Sequence, residues 1–314
     1  MPPTMPSPSI RIPVELLTQS SFSQFGTVIE NPAHSNAPRS QRLPFNAISA
    51  NQGTALKFID VTHMTDLYHV APSKKPARAV MNMFVCAARN LRPHEPAESM
   101  PSSWGDIDFD DDEDGNNKRE LFDVGILERH PFTTQTFVPM GLSQFDRHTQ
   151  YLVIVAPTLP ASASKRHVDR PPPYPTPNIS KRKSIKDIFA RARPSPFTNE
   201  ASPPPSQFSR LHPSQRPKGP GLPDLKNLRA FVANGNQAVT YGAGTWHAPM
   251  AVVGDRPIDF VVVQFANGVG IEDCQEIVLK PDQRAEEGMV VTVDFDSSGK
   301  VLVKAGVGSI KAKL

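Results

Sequence analysis

The chain is 314 residues long, enough for one large domain or two small ones, but its 34 prolines exclude part of it from any packed core. Lys and Arg number 34 against 31 for Asp and Glu, a near balance that excludes the strongly basic surface of a nucleic-acid binder. The two cysteines, Cys86 and Cys274, lack the spacing of a zinc site or a disulfide framework, and no apolar run approaches the ~20 residues that span a bilayer. A soluble protein of a reducing compartment, with no membrane partner, is expected.

Residues 1–11, rich in Pro and Ser, are expected to be disordered. A domain is read over 12–279. It opens with Thr18-Gln19-Ser20-Ser21-Phe22-Ser23-Gln24-Phe25 closed by Gly26, the pattern of a short capped helix, followed by Thr27-Val28-Ile29. Helical periodicity then fades. Residues 80–86, 134–138, 151–155, 228–233, 238–241 and 259–265 are short runs of β-branched and aromatic residues bounded by Gly, Pro or Asn, which predicts many short strands in a sandwich or barrel.

Two inserts interrupt the domain. The first, 101–119, contains Asp110-Asp111-Asp112-Glu113-Asp114-Gly115, which lacks the ligand spacing of a calcium loop and reads as a solvated acidic loop. The second, 160–221, includes Pro171-Pro172-Pro173 and Pro203-Pro204-Pro205, is basic and poor in aliphatic residues, and is expected to be disordered or partly polyproline II. Within it the segment from Ser184 to Arg191, behind Lys181-Arg182-Lys183, has the pattern of a brief basic helix, either incidental or a docking signal. Residues 289–295 and 300–304 flank Asp296-Ser297-Ser298-Gly299 as a hairpin, expected to be a β-ribbon appended in the 280–314 extension. The chain ends in Ala312-Lys313-Leu314, which has the small–basic–Leu form read by the peroxisomal import receptor. Peroxisome and cytosol both remain open.

Two stretches carry candidate chemistry. In Leu127-Glu128-Arg129-His130-Pro131, an extended backbone puts Glu128 and His130 on one face and Arg129 on the other, so one face carries an acid–base pair. In Gly235 to Pro249, a glycine-rich turn delivers His247 directly behind Trp246. Together they echo the metal motifs of cupin barrels: Glu128 stands in the first His place, His130 in the second, Gln135 where a Glu belongs, and His247 last. Only two of these four positions are strong transition-metal ligands. The set promises no certain cofactor, but it allows a loosely bound divalent metal such as nickel, completed by Glu128 and water. The same residues also fit a hydrogen-bonded strand end and a core tryptophan.

At these positions the sequence resembles the ureidoglycolate lyase (ureidoglycolate hydrolase) family in its fungal branch. The likeness runs through Phe25-Gly26-Thr27-Val28-Ile29, Asn51-Gln52-Gly53-Thr54-Ala55, Leu127 to Gly141, Pro223-Asp224-Leu225, Gly235 to Met250 and Asp259-Phe260-Val261-Val262, leaving out both inserts and the terminal ribbon. Bacterial members usually carry a second His after the Trp-His pair, where this chain has Ala248. The resemblance implies an all-β, cupin-like barrel of jelly-roll type, a homodimer, and cleavage of ureidoglycolate to glyoxylate and urea in allantoin breakdown. One base and one acid suffice for that reaction. His247 or Glu128 is expected to take the substrate's hydroxyl proton and His130 to protonate the departing urea, or the reverse. Lys57 is expected to pair with the substrate carboxylate, and Asn51, Gln135 and Tyr241 to bind the ureido group. The alternatives are a metal-dependent amidohydrolase releasing ammonia from the same substrate, and a non-catalytic binding module with the basic insert as its functional arm.

Overall fold

A computed structural model describes residues 2–31, 47–94, 118–143, 146, 148–160, 218–281 and 287–303. Nearly all of both inserts, including the run Asp110 to Asp114 and the segment Ser184 to Arg191, lies outside the described residues, as does the C-terminal Ala312-Lys313-Leu314.

The first half of the chain forms β1 (Thr4–Ser7), β2 (Ile10–Leu16), helix α1 (Gln19–Phe22), β3 (Gly26–Ile29), β4 (Ala47–Ala50), β5 (Ala55–Phe58), β6 (Arg78–Cys86), β7 (Arg92–Pro93), β8 (Lys118–Asp123), β9 (Ile126–Arg129) and β10 (Gln135–Met140). The second half forms β11 (Thr149–Ala156), β12 (Arg229–Ala233), β13 (Ala238–Tyr241), β14 (Trp246–His247), β15 (Ala251–Gly254), β16 (Ile258–Ala266), helix α2 (Gly270–Asp273), β17 (Gln275–Pro281), β18 (Met289–Phe295) and β19 (Val301–Leu302). Twelve strands make one sheet, ordered β1-β17-β9-β14-β11-β12-β2-β18-β8-β7, with β15 joined to β11 and β19 to β18. Five make a second, ordered β3-β13-β10-β16-β6, and β4 and β5 form a separate hairpin.

Alternation in β11 shows how the sheets are arranged. All eight of its residues are buried. Tyr151, Val153 and Val155 pack with Phe137, Phe260 and Val262 of the five-stranded sheet, so the two sheets face each other across that cluster. Leu152 and Ile154 point the other way, where Ile12, Leu127, Trp246 and Val291 join them. Those partners come from β2, β9, β14 and β18 of the same sheet, and one face can gather them only if the sheet curls on itself. The protein is therefore all-β and cupin-like, as expected. Each fully buried aliphatic side chain contributes about 1.5–3 kcal/mol.

The short helix is built as its sequence implies. Thr18 Oγ1 accepts from the Ser21 amide at 3.1 Å while Ser21 Oγ accepts from the Thr18 amide at 3.2 Å, a reciprocal cap, and Phe22 is fully buried. Gly26 follows because a Cβ there would lie 1.8 Å from the Thr240 carbonyl oxygen across the β3–β13 pair.

Two expectations are corrected. Thr4–Ser7, within the stretch expected to be disordered, pairs in parallel with β17, and Ser7 Oγ accepts from the Met289 amide at 2.9 Å. Backbone pairing orders this segment, which has no apolar alternation to announce it. The terminal hairpin is not an appendage either: β18 lies between β2 and β8. Val290, Val291 and Val293 are fully buried, and a run apolar on both faces belongs to a central strand.

Candidate active site

Two adjacent strands deliver the candidate residues. In β9, Leu127 and Arg129 face the core of the curled sheet, so Glu128 and His130 emerge on the opposite side, between the sheets. Arg129 is completely buried. Its guanidinium lies 4.4 Å from the Trp246 ring and donates to Gln275 Oε1 and to the carbonyls of Gly219 and Gly221 at 2.8–3.1 Å. In β14, Trp246 likewise faces the curled core while His247 faces the space between the sheets. A turn whose Gly244 has φ +75° leads into this strand. Because β14 pairs with β9, His247 and Glu128 are cross-strand partners, and one ligand atom each from Glu128, His130 and His247 lies within 4.8 Å of the others.

Hydrogen bonds fix the orientation of both imidazoles. His130 Nδ1 donates to the Asp273 carbonyl oxygen at 2.6 Å, and His247 Nδ1 donates to the Thr245 carbonyl oxygen at 3.0 Å. A carbonyl can only accept, so each Nδ1 carries a hydrogen and each Nε2 is left facing the cup, to hold a lone pair or a proton. His247 Nε2 is 3.4 Å from Glu128 Oε1, an ion-pair distance without the alignment of a hydrogen bond. Tyr241 stacks on His247 with ring centroids 4.1 Å apart and planes 12° from parallel. Glu128, with 23% of its side chain exposed, is the member of the trio that solvent reaches.

Burial sets the charges. Desolvation, helped by the nearby charge of His247, pushes the His130 pKa down to about 4. Burial alone would raise the Glu128 carboxyl, but contact with His247 and the charges of both histidines outweigh it and hold the group below its ordinary value. Burial and the Glu128 charge push the Cys274 thiol up to about 12, so it stays protonated 3.9 Å from Glu128 Oε2. Burial likewise raises the Tyr241 phenol well above its usual value, keeping it a neutral hydroxyl.

The facing wall belongs to the five-stranded sheet. Tyr241, Gln135 and Gln264 are register partners on β13, β10 and β16, and all three side chains are buried. Five buried side-chain atoms among the described residues have no hydrogen-bond partner; four of them are His130 Nε2, His247 Nε2, Tyr241 Oη and Gln135 Oε1. Such orphans are rare in folded proteins, and their gathering on these two walls marks a site whose partner is a ligand.

Among the residues singled out from sequence, Glu128, His130 and His247 come together, and Gln135 and Tyr241 line the opposite wall. Asn51 and Lys57 do not join them. Both are exposed within the β4–β5 hairpin, Asn51 in its turn and Lys57 on β5. That hairpin borders an open groove of ≈ 700 Å³ lined by Leu56, Phe58 and Val138, which contains none of the trio. Sequence reasoning missed Asp273, whose carbonyl orients His130, because a backbone acceptor leaves no mark in residue type. It also missed Gln264, which did leave a signal: it follows Phe260 and Val262 at every second position of a core-facing row.

A carboxylate and two imidazole lone pairs converging in a buried cup repel one another unless a proton or a cation lies among them. Two nitrogens and one carboxylate oxygen also make an acceptable donor set for a divalent transition metal, with both Nδ1 hydrogens held by carbonyls as ligating histidines require.

Comparison with known proteins points to one family. The family model described as Ureidoglycolate lyase matches residues 9–286. The chain is 27% identical over 265 residues to the ureidoglycolate lyase of Schizosaccharomyces pombe, covering 84% of this chain and 90% of that one. It is 29% identical over 255 residues to that of Saccharomyces cerevisiae, covering 81% and 85%. Against the Burkholderia mallei protein of the same name it is 24% identical over 250 residues, covering 80% and 79%.

Proposed function

This chain belongs to the ureidoglycolate lyase family, and on that premise we propose that it splits ureidoglycolate into glyoxylate and urea in the cup between its sheets. The observation that carries the reading is the convergence of Glu128, His130 and His247, with ligand atoms within 4.8 Å of one another, opposite the unpartnered polar atoms of Gln135 and Tyr241.

One carbon of ureidoglycolate bears a hydroxyl, a carboxylate and the ureido nitrogen. Removal of the hydroxyl proton lets its oxygen become the aldehyde oxygen as the C–N bond breaks, and the departing nitrogen takes a proton to become urea. His130 suits the first transfer. Its Nε2 is unprotonated at neutral pH, and Glu128 favours the charged ring once it forms. A proton on His247 Nε2, facing Glu128 Oε1, suits the second. Of the two assignments left open by the sequence, burial thus favours the one in which His130 is the base, because a ring that resists protonation has no Nε2 proton to give at neutral pH. On the facing wall, the Tyr241 hydroxyl and the Gln135 carbonyl would hold the ureido group, a role supported by their lack of any hydrogen-bond partner among the described residues.

Glu128, His130 and His247 would hold a divalent cation, which would supply Lewis-acid chemistry that makes the substrate hydroxyl more acidic. The cation and the proton are alternatives for the same three side chains. The resemblance also implies a homodimer. Support for it on this chain is the outer face of β6, an edge strand on which Met81, Met83 and Val85 are 71%, 56% and 72% exposed.

The reading is tested with purified protein and racemic ureidoglycolate. Glyoxylate should form above the spontaneous rate, and His247→Asn should lower kcat by about a hundredfold or more while the protein stays folded by circular dichroism. Wild-type protein that adds nothing to the spontaneous rate would overturn it.

A further inference from the structure

No hydrogen bond is found between Gln264 and the trio among the described residues, but Gln264 is bonded to Gln135 on the facing wall. It stands on β16 directly beside Gln135 on β10, and Gln135 in turn stands directly beside Tyr241, whose ring lies on His247. Gln135 and Gln264 are 4% and 9% exposed. A glutamine carboxamide offers a donor edge and an acceptor edge, and a half-turn about its last bond exchanges them. In the structure Gln135 Nε2 donates to Gln264 Oε1 at 2.7 Å, which leaves Gln135 Oε1 buried without a donor. Next to it in the row, the Tyr241 hydroxyl is also unpartnered.

We propose that Gln264 is a positioning residue that pins the Gln135 carboxamide with its oxygen toward the cup, making that wall selective for a ligand end bearing N–H donors. The inference rests on the lyase reading, and it assigns the two ends of the substrate. A ureido group offers N–H donors to Gln135 Oε1 and a carbonyl oxygen to the Tyr241 hydroxyl, on register partners about 5 Å apart. The carboxylate end offers acceptors only, and Gln135 Oε1 would repel it. Gln264 therefore acts through Gln135, helping to seat the leaving urea rather than the glyoxylate half.

The test uses Gln264→Met and Gln264→Glu in the full chain, with urea and glyoxylate as product inhibitors below denaturing concentrations. Methionine keeps the volume but releases Gln135. KM for ureidoglycolate and the inhibition constant for urea should each rise about tenfold, while the glyoxylate constant stays put and kcat changes less. Glutamate, assayed at mildly alkaline pH, accepts from Gln135 Nε2 as Gln264 does and should restore both values. Unchanged urea inhibition in Gln264→Met, or equal weakening of urea and glyoxylate, would overturn the assignment while the lyase reading stood. Wild-type protein without turnover would overturn both.

Discussion

His130 Nδ1 donates to the carbonyl oxygen of Asp273 across 2.6 Å, and this bond joins the chemistry of β9 to the helical turn α2, which links β16 of the five-stranded sheet to β17. The turn is itself tied down. Asp273 accepts from the amides of Asn267 and Gly268 and from the Tyr68 hydroxyl at 2.7–2.9 Å. His130 is thereby held as one tautomer in a site too dry to charge it readily.

That dryness makes the fold sensitive to acid. Unfolded, His130 binds a proton near its ordinary pKa of 6.5; folded, it does so only near 4. Between those values the unfolded chain binds more protons, so acidification favours unfolding. Metal-free protein should lose up to about 3 kcal/mol from this group as pH falls from 6.5 to 4, and His130→Asn should flatten the slope. Guanidinium unfolding at a series of pH values measures it. A slope unchanged in the variant would assign the effect to other groups.

The same three side chains should bind a cation. Titration of chelator-treated protein with nickel, manganese or zinc is expected to show a single equivalent bound per chain and a raised melting temperature for at least one of them. His247→Ala should lose that site. Wild-type protein that binds none would leave the proton as the occupant of the cup.

The long insert should be dispensable, but its edges should not. Its ends meet: Leu159 donates its amide to Leu222 O and Asp224 donates its amide to Pro157 O, each at 2.8 Å. Replacing residues 161–217 with a short Gly-Ser linker should leave kcat/KM within about twofold. Carrying the deletion through Gly221 removes carbonyls that accept from Arg129 and Trp246, and should cost about 2–4 kcal/mol of stability. Activity and chemical denaturation of the two deletions separate these outcomes. Loss of turnover in the shorter deletion would give the insert a part in the reaction.

The exposed face of β6 predicts an assembly. Sedimentation should give a dimer for the wild type and a monomer for Met83→Lys, since a buried lysine without a partner is costly at an interface. A dimer that survives the substitution would place the interface elsewhere.

Strand alternation made much of this site legible in the sequence. Glu128 and His130 could be placed on one face, with Arg129 behind them, from three consecutive residues. The cupin-like motif spacing supplied His247 and Gln135, and the family resemblance supplied Tyr241. What sequence could not supply was orientation: the carbonyls of Asp273 and Thr245 that choose the tautomers are backbone atoms brought in by tertiary structure. The terminal ribbon was misplaced for a related reason. A hairpin signal is local, whereas membership of a sheet depends on the distant strands β2 and β8. Asn51 was singled out from its Gly-containing block, and its positive φ of 49° identifies it as part of a turn.

Lyase chemistry in the cup is read most directly from the product balance. With racemic ureidoglycolate, glyoxylate, urea and ammonia should be followed together in the same reaction. Urea and glyoxylate should appear in equal amounts with no enzyme-dependent ammonia. Ammonia in place of urea would contradict lyase chemistry and make the protein an amidohydrolase.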